Sequence, residues 1–142
     1  MACPYFYPVE AREGSATLPL GAWWKGVCHA VPGAPQADTE AAGGSCGDTN
    51  CNLGYARGEC ARFPEGQGPD AVRFTISCHD STAIRIYYVM ERDHHPFAHG
   101  RLEYSLPAAG FATPPGTAAL ERQARAYVES YLRRKGESPD GR

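Results

Sequence analysis

Hydrophobic and polar residues alternate in three stretches of the second half of the chain, and this alternation predicts three consecutive β-strands. In the first stretch, every second residue from Val72 to Cys78 faces the same way, so Cys78 is expected to be a small buried side chain on the apolar face. Short polar segments join the stretches, which favours an antiparallel meander. The predicted strands are Ala71–His79, Ala83–Arg92 and residues 101–106, connected by a turn at 79–82 and a loop at 93–100.

A helical pattern follows the predicted strands. Apolar side chains recur there at intervals of three and four, which places them on one stripe of an α-helix over residues 118–135. Thr117 or Thr113 suits the N-cap and Gly136 suits the end of the helix. With this helix covering one face of the meander, the predicted class is α+β. The stripe consists of Leu120, Ala124, Tyr127, Val128 and Tyr131.

Residues 1–70 show neither pattern. They contain 11 of the 16 glycines, seven of the 12 prolines and five of the six cysteines. This composition predicts loops, whose ordering cost and unpaired backbone groups a bound metal centre would offset. We therefore expect a single domain over residues 1–142, with a loop-rich metal-binding region (1–70), strands and a C-terminal helix (71–136) and a frayed tail (137–142).

Charge and hydropathy narrow the function classes. With 14 basic and 16 acidic residues, the net charge of −2 shows no electrostatic signature of nucleic-acid or membrane-surface binding. No apolar run approaches the roughly 20 residues of a membrane span, and the N-terminus lacks the features of a signal peptide. We expect a cytoplasmic protein, in which cysteines serve as metal ligands or buried thiols rather than as disulfides.

Four of the cysteines are candidate ligands of one metal centre. Cys46 lies in the small, polar stretch 32–50, where fixing a ligand costs the most entropy, and Cys78 belongs to a strand. The remaining thiols are flanked by aromatic residues, glycine or proline, which suits the dry surroundings of an iron–sulfur cluster. The predicted ligands are Cys3, Cys28, Cys51 and Cys60, and the predicted cofactor is a [4Fe–4S] cluster with structural zinc as the alternative.

The spacing of these cysteines matches neither a zinc ribbon nor a ferredoxin, because no Cys-x-x-Cys pair is present. The stretches Cys3-Pro-Tyr-Phe, Cys51-Asn-Leu-Gly-Tyr-Ala-Arg-Gly-Glu-Cys60-Ala-Arg-Phe-Pro and Asp70-Ala-Val-Arg-Phe resemble small uncharacterised bacterial proteins that begin Cys-Pro-Tyr and carry Cys-Asn-x-Gly-Tyr. This resemblance, over about half of the chain, implies a cytosolic bacterial protein with a four-cysteine centre and assigns no reaction. The aromatic-rich cysteine half is also broadly similar to high-potential iron–sulfur proteins, although the cysteine spacing differs.

The main rival site is a group of histidines in the predicted loop 93–100. His95 and His99 are four residues apart and would share a metal with His94 if the loop coiled. Three functions follow: an iron–sulfur protein of electron transfer or redox sensing, which would act with a redox partner protein; a zinc-stabilised interaction module using the same cysteines; or a metalloenzyme at the His94/His95/His99 site. The sequence favours a function without catalysis over the metalloenzyme.

Overall fold

The computed structural model of the 142-residue chain describes residues 2–13, 19–28, 30, 51–55, 57, 63–64, 68–113 and 116–135. The predictions for the polar loop with Cys46, for Cys60 and for the C-terminal tail lie outside these residues. The strands are β1 (Phe6–Glu13), β2 (Trp23–Cys28), β3 (Ala71–His79), β4 (Ala83–Arg92), β5 (His95–Ser105) and β6 (Gly110–Phe111), and the helix α1 is Ala118–Arg134. Residues 51–53 form a short helical turn.

The second half of the chain is a four-stranded antiparallel sheet in the order β3-β4-β5-β6. The predicted bounds of β3 and β4 are confirmed, whereas the prediction of a three-stranded meander is wrong. β5 begins at His95 instead of residue 101, and β6 adds a short fourth strand. The first half of β5 was missed because its side chains are exposed on both faces, so its sequence has no alternation to read.

A second sheet, formed by the antiparallel pair β1 and β2, lies in the half that the composition assigned to loops. These strands were not predicted because proline and glycine interrupt their alternation of apolar and polar residues. Pro8 pairs with Gly26, and a Cβ at Gly26 would overlap the carbonyl oxygen of Tyr7, so the close approach of the two strands requires glycine there. Phe6 and Trp24 are buried and anchor this sheet in the core.

Helix α1 contacts both sheets. Thr117 caps its start, since the Thr117 hydroxyl oxygen accepts the backbone N–H of Leu120 at 3.1 Å, as predicted. Tyr127 stacks on Phe74 of β3, whereas Gln123 bonds to the backbone at the start of β1. The predicted apolar stripe is therefore only one side of the buried surface, and the second side carries Ala119, Gln123, Ala126 and Ser130. No helix among the described residues has the length and apolar character that crossing a membrane requires.

The segment before β1 pairs with the outer edge of the large sheet at one position. Ala2 and Val72 exchange two backbone hydrogen bonds, at 2.7 and 2.8 Å, and both residues are fully buried. An edge strand left unpaired would offer its backbone groups to other chains. The first residues of the chain therefore belong to the same core as β3, and they bring Cys3 with them.

Candidate functional site

Backbone contacts at the start of β1 connect the segments that carry three of the predicted ligands, Cys3, Cys28 and Cys51, but the three side chains do not form a group arranged to hold a metal ion. The backbone N–H of Cys3 donates to the carbonyl oxygen of Cys51 at 3.0 Å. The N–H of Phe6 in turn donates to the carbonyl of Cys3 at 3.1 Å, and Phe6 lies opposite Cys28 across the β1–β2 pair. Cys60, the fourth predicted ligand, lies outside the described residues. Segments far apart in the sequence are thus joined within a few hydrogen bonds of one another.

Asn52 fixes the segment that carries Cys51. Its side-chain oxygen accepts the backbone N–H of Trp24 at 3.0 Å, and its side-chain nitrogen donates to the carbonyl of the same residue at 2.9 Å. The Asn52 amide therefore pairs with both the N–H and the carbonyl of Trp24, as the backbone of a neighbouring strand would. Because Asn52 and Trp24 are each 1% exposed, the two bonds form in a dry environment and hold the 51–53 turn against β2.

Gln123 of α1 fixes the turn that carries Cys3. Its side-chain nitrogen donates to the carbonyl oxygens of Cys3 and Phe6, at 2.6 and 2.7 Å. Gln123 is fully buried, and among the described residues its side-chain oxygen has no hydrogen-bond partner. Since a buried polar atom without a partner costs free energy, this oxygen marks a place where a further donor would be accommodated.

The surroundings of the thiols differ in exposure. Cys3 and Cys51 are 8% and 5% exposed, whereas Cys28 at the end of β2 is half-buried. The Cys28 sulfur lies 3.4 Å from the backbone nitrogen of Ala30, which donates a hydrogen bond to it. This contact fixes the position of the Cys28 sulfur at the end of β2.

Aromatic rings lie next to the cysteine segments. Phe63, three residues after Cys60, packs edge to face on Tyr5, two residues after Cys3, with ring centroids 5.4 Å apart. The guanidinium of Arg57 lies over the Phe63 ring of this pair, 4.8 Å from its centre. The rings bring the chain beyond Cys60 to the beginning of β1, where Cys3 and Cys51 meet.

The prediction that Cys78 is buried is wrong. A β-bulge after Ile76 lets Cys78 pair with Arg85, whereas Ile76 pairs with Ile86. The extra residue, Ser77, reverses the alternation, so Cys78 lies on the exposed face of the sheet. The hydrophobic pattern of a sequence does not indicate where a bulge occurs, so the exposure of Cys78 was not predicted.

The histidines do not form the predicted loop. His95 pairs with Arg92 and His99 pairs with Val89, and a bulge at Phe97 separates the two pairs. Arg92 and Val89 are three residues apart on one strand and therefore point to opposite faces, and so do the histidines opposite them. Within the part of the chain that the structure describes, no group of three or more His, Cys, Asp or Glu side chains is arranged to hold a metal ion.

His94 belongs to the tight turn between β4 and β5. Asp93 and His94 both have positive φ angles, 52° and 63°, which non-glycine residues adopt only when other contacts stabilise them. The N–H of Asp93 donates to the Asp70 carboxylate at 2.8 Å, and the N–H of His94 donates to the Tyr55 hydroxyl at 3.1 Å. The His94 ring also stacks on Tyr55, with centroids 4.2 Å apart. The segment after Cys51 therefore holds this turn.

Asp70 is the charged centre of these contacts. Its side chain is 7% exposed and forms an ion pair with Arg57 at 2.6 Å. Burial alone would raise the pKa of Asp70, but the hydrogen bond from the Asp93 backbone, the hydrogen bond and charge of Arg57 and the charge of Arg92 lower it below its usual value. The carboxylate is thus stabilised in its charged form.

Tyr55 is held in its neutral form. Burial, the hydrogen bond that its hydroxyl donates to Glu91 at 2.7 Å and the negative charge of Glu91 raise the pKa of Tyr55 to about 12. A phenol with so high a pKa is a permanent hydrogen-bond donor at neutral pH. Together with Asp70 it links the cysteine-bearing segment to the large sheet.

Four residues of this site were missed in the sequence. Tyr55 and Asp70 lie within the stretches that carry the resemblance. The sequence predicts Tyr55 only as one of the aromatic residues around the metal centre, and it predicts no role for Asp70. Asn52 directly follows Cys51, and this position beside a predicted ligand is the only sequence signal for it, whereas Gln123 occupies a helix position typical of an ordinary polar residue.

Comparisons with protein-family models, with curated proteins and with solved structures give no match for this chain.

Proposed function

We propose that the chain is an iron–sulfur protein whose [4Fe–4S] cluster is bound by Cys3, Cys28, Cys51 and Cys60 and serves in electron transfer or redox sensing. The observation that carries this proposal is the hydrogen bond between the backbones of Cys3 and Cys51, next to the strand pair that ends at Cys28.

The burial of Cys3 and Cys51 supports this proposal. Cys3 and Cys51 are nearly buried, which excludes water, and thiolates are the usual ligands of iron–sulfur clusters. A [4Fe–4S] cluster is wider than a single ion, so its ligands reach it from separate segments. When bound, the cluster would supply one-electron chemistry. Asn52 would hold the segment of Cys51 and Gln123 would hold the backbone at Cys3, with the packed rings of Tyr5 and Phe63 beside that segment.

Anaerobic purification followed by an ultraviolet–visible spectrum and by iron, sulfide and zinc analysis tests the proposal. We expect a brown protein with roughly four irons and four sulfides per chain, as a [4Fe–4S] cluster requires. A colourless protein with about one zinc would instead establish the zinc-stabilised module that uses the same cysteines. Metal-free protein purified under these conditions would contradict both.

Single Cys→Ser variants test the ligand assignment. We expect Cys3→Ser, Cys28→Ser, Cys51→Ser and Cys60→Ser each to lower the iron content severely, because serine is a poor ligand for iron–sulfur clusters. Cys78→Ser is the matched control, since Cys78 is exposed on a strand of the large sheet and should leave the iron content unchanged. Loss of iron in the control with retention in Cys3→Ser would overturn the assignment.

A further inference from the structure

A pocket of about 480 Å³ lies on the large sheet, outside the cysteine site. Its lining includes side chains of β3, β4 and β5, and the segment after β6 closes one side. The volume falls within the usual range of small-molecule sites. The polar residues of the lining are Ser77, Arg85, Tyr87, Arg101, Glu103 and Thr113, with Cys78 beside them.

The β-bulge in β3 shapes this pocket. Because Ser77 is the extra residue, the end of β3 turns Cys78 toward Arg85 rather than toward the core. The Ser77 hydroxyl donates to the carbonyl oxygen of Arg85 at 3.1 Å, which fixes the bulge against β4. Bulges are frequent beside functional sites, where they redirect side chains.

The charges in the pocket are not balanced. Arg85 is engaged with Glu103, whose carboxylate oxygen lies 3.1 Å from the Arg85 Nε. Arg101 has no carboxylate partner among the described residues, and its guanidinium lies 5.7 Å from the centre of the Tyr87 ring. The lining therefore carries two positive charges and one negative charge, which leaves one positive charge for a ligand.

Tyr87 supplies a flat apolar surface next to that charge. It is 43% exposed, which is unusual for a tyrosine in the middle of a central strand. The Arg101 guanidinium lies over the Tyr87 ring, so a flat ring can stack on these groups while an anionic group accepts charge-assisted hydrogen bonds from the guanidinium. Thr113 adds a hydroxyl group that can donate to an anionic oxygen, whereas the Ser77 hydroxyl already donates to the carbonyl oxygen of Arg85.

We propose that this pocket binds a small planar ring compound that carries an anionic group, a phosphate or a carboxylate, with the ring against Tyr87 and the anion on Arg101. The site is separate from the described cysteines of the proposed centre, since Cys3, Cys28 and Cys51 do not line the pocket. The free charge of the pocket selects the anion, and the exposed ring selects a flat partner.

Isothermal titration calorimetry on the full chain tests the proposal with two matched pairs of probes. Adenosine monophosphate and indole-3-carboxylate carry an anion on a flat ring, whereas adenosine and indole carry the ring alone. We expect at least one of the charged probes to bind with a Kd below about 1 mM and to bind at least tenfold more tightly than its uncharged counterpart, the effect of roughly one charge-assisted contact. The probe that binds identifies the anion as phosphate or carboxylate.

Variants locate the binding. Arg101→Gln and Tyr87→Ala are each expected to weaken binding of the charged probe about tenfold or more, while Arg73→Gln leaves it unchanged. Arg73 is a suitable control because it is an exposed arginine of the same sheet that does not line the pocket. A far-ultraviolet circular dichroism spectrum confirms that each variant is folded. The proposal is overturned if neither charged probe binds, if the uncharged probes bind as tightly, or if Arg73→Gln weakens binding as much as Arg101→Gln.

Protection of a thiol provides a second readout in the same pocket. Cys78 lines it, so a bound probe should slow alkylation of Cys78 by iodoacetamide several-fold, measured by mass spectrometry of the Cys78 peptide. An unchanged alkylation rate at saturating probe would place the binding elsewhere and overturn the proposal.

Discussion

Asn52 takes over part of the work of a strand by using both ends of its side-chain amide. It pairs with the backbone of Trp24 at a place where the neighbouring segment is a helical turn and offers no ladder of its own. Asn52, with Gly54 two residues later, stands in a sequence typical of a turn. The preference of asparagine for turns is a local property, whereas the partner of Asn52 here is 28 positions away. Side-chain hydrogen bonds between residues this far apart in the sequence are the part of the site that a hydrophobic pattern does not predict.

Replacement of Asn52 by alanine should destabilise the fold. Asn52→Ala leaves the buried N–H and carbonyl of Trp24 without these partners, and we expect the free energy of unfolding to fall by about 2 to 4 kcal/mol. Urea denaturation monitored by tryptophan fluorescence measures the change. Leu53→Ala, at the neighbouring position that is 41% exposed, should cost less than about 1 kcal/mol. Equal losses in the two variants would refute this role of Asn52.

Asp70 predicts how stability depends on pH. Its pKa is lowered in the folded chain, so its contribution is complete above the ordinary pKa of about 3.9 and is lost as the pH falls through the lower folded value. At pH 7 we expect Asp70→Asn to reduce the free energy of unfolding by about 2 to 3 kcal/mol.

Denaturation of the wild type and of Asp70→Asn between pH 7 and pH 3 measures this difference. The gap between the two proteins should narrow steadily below about pH 4, because the protonated Asp70 no longer pairs with Arg57. A gap that stays constant across this range would show that the carboxylate charge is not what stabilises the turn at Asp93.

Among the secondary-structure elements, β3, β4 and α1 were predictable because each buries one face and exposes the other. The pattern failed where that condition fails. β1 and β2 are interrupted by Pro8 and Gly26, and the start of β5 has no buried face at all. β3 has its predicted bounds, but the bulge at Ser77 reverses the direction of the Cys78 side chain. The thiol therefore lies on the surface instead of in the core, where it was predicted.

The bulge makes a prediction about thiol reactivity. Brief alkylation of the native protein with iodoacetamide should modify Cys78 at least tenfold faster than Cys3 or Cys51, because only Cys78 of these three is exposed. Mass spectrometry of the separate cysteine peptides gives the three rates. The difference should vanish in denaturant, where all three thiols are accessible; similar rates in the native protein would contradict the exposed position of Cys78.

Helix α1 acts on the cysteine site through one residue. Gln123→Met removes both hydrogen bonds to the turn between Cys3 and Phe6 while keeping a side chain of similar volume. We expect a loss of about 1 to 3 kcal/mol in the free energy of unfolding and a lower iron content of the purified protein. Thr117→Ala is the control, since it weakens the same helix by about 1 kcal/mol at its cap and touches no residue of that turn.

Iron content separates the two variants. If Thr117→Ala and Gln123→Met lose equal amounts of iron, the effect is general destabilisation of the helix. A loss confined to Gln123→Met is the result that the contacts to Cys3 predict.

For the whole molecule, the cysteine site lies where three remote segments join, so its occupancy should govern global stability. A ligand bound only by the folded chain stabilises it in proportion to the logarithm of its concentration over its Kd. Removal of the proposed cluster with a chelator and an oxidant should therefore lower the unfolding midpoint by several degrees, measured by differential scanning calorimetry. The Cys51→Ser protein should show no further decrease under the same treatment, and a wild-type midpoint that does not move would argue against a structural role for the site.

The link between Gln123 and Cys3 also has a consequence for synthesis of the protein. These residues are 120 positions apart, so the turn of Cys3 receives its support only after α1 has left the ribosome. The pairing of Ala2 with Val72 likewise waits until β3 has emerged. The segment around Cys3 is therefore synthesised well before the elements that support it, and its turn is completed only when α1 packs against it.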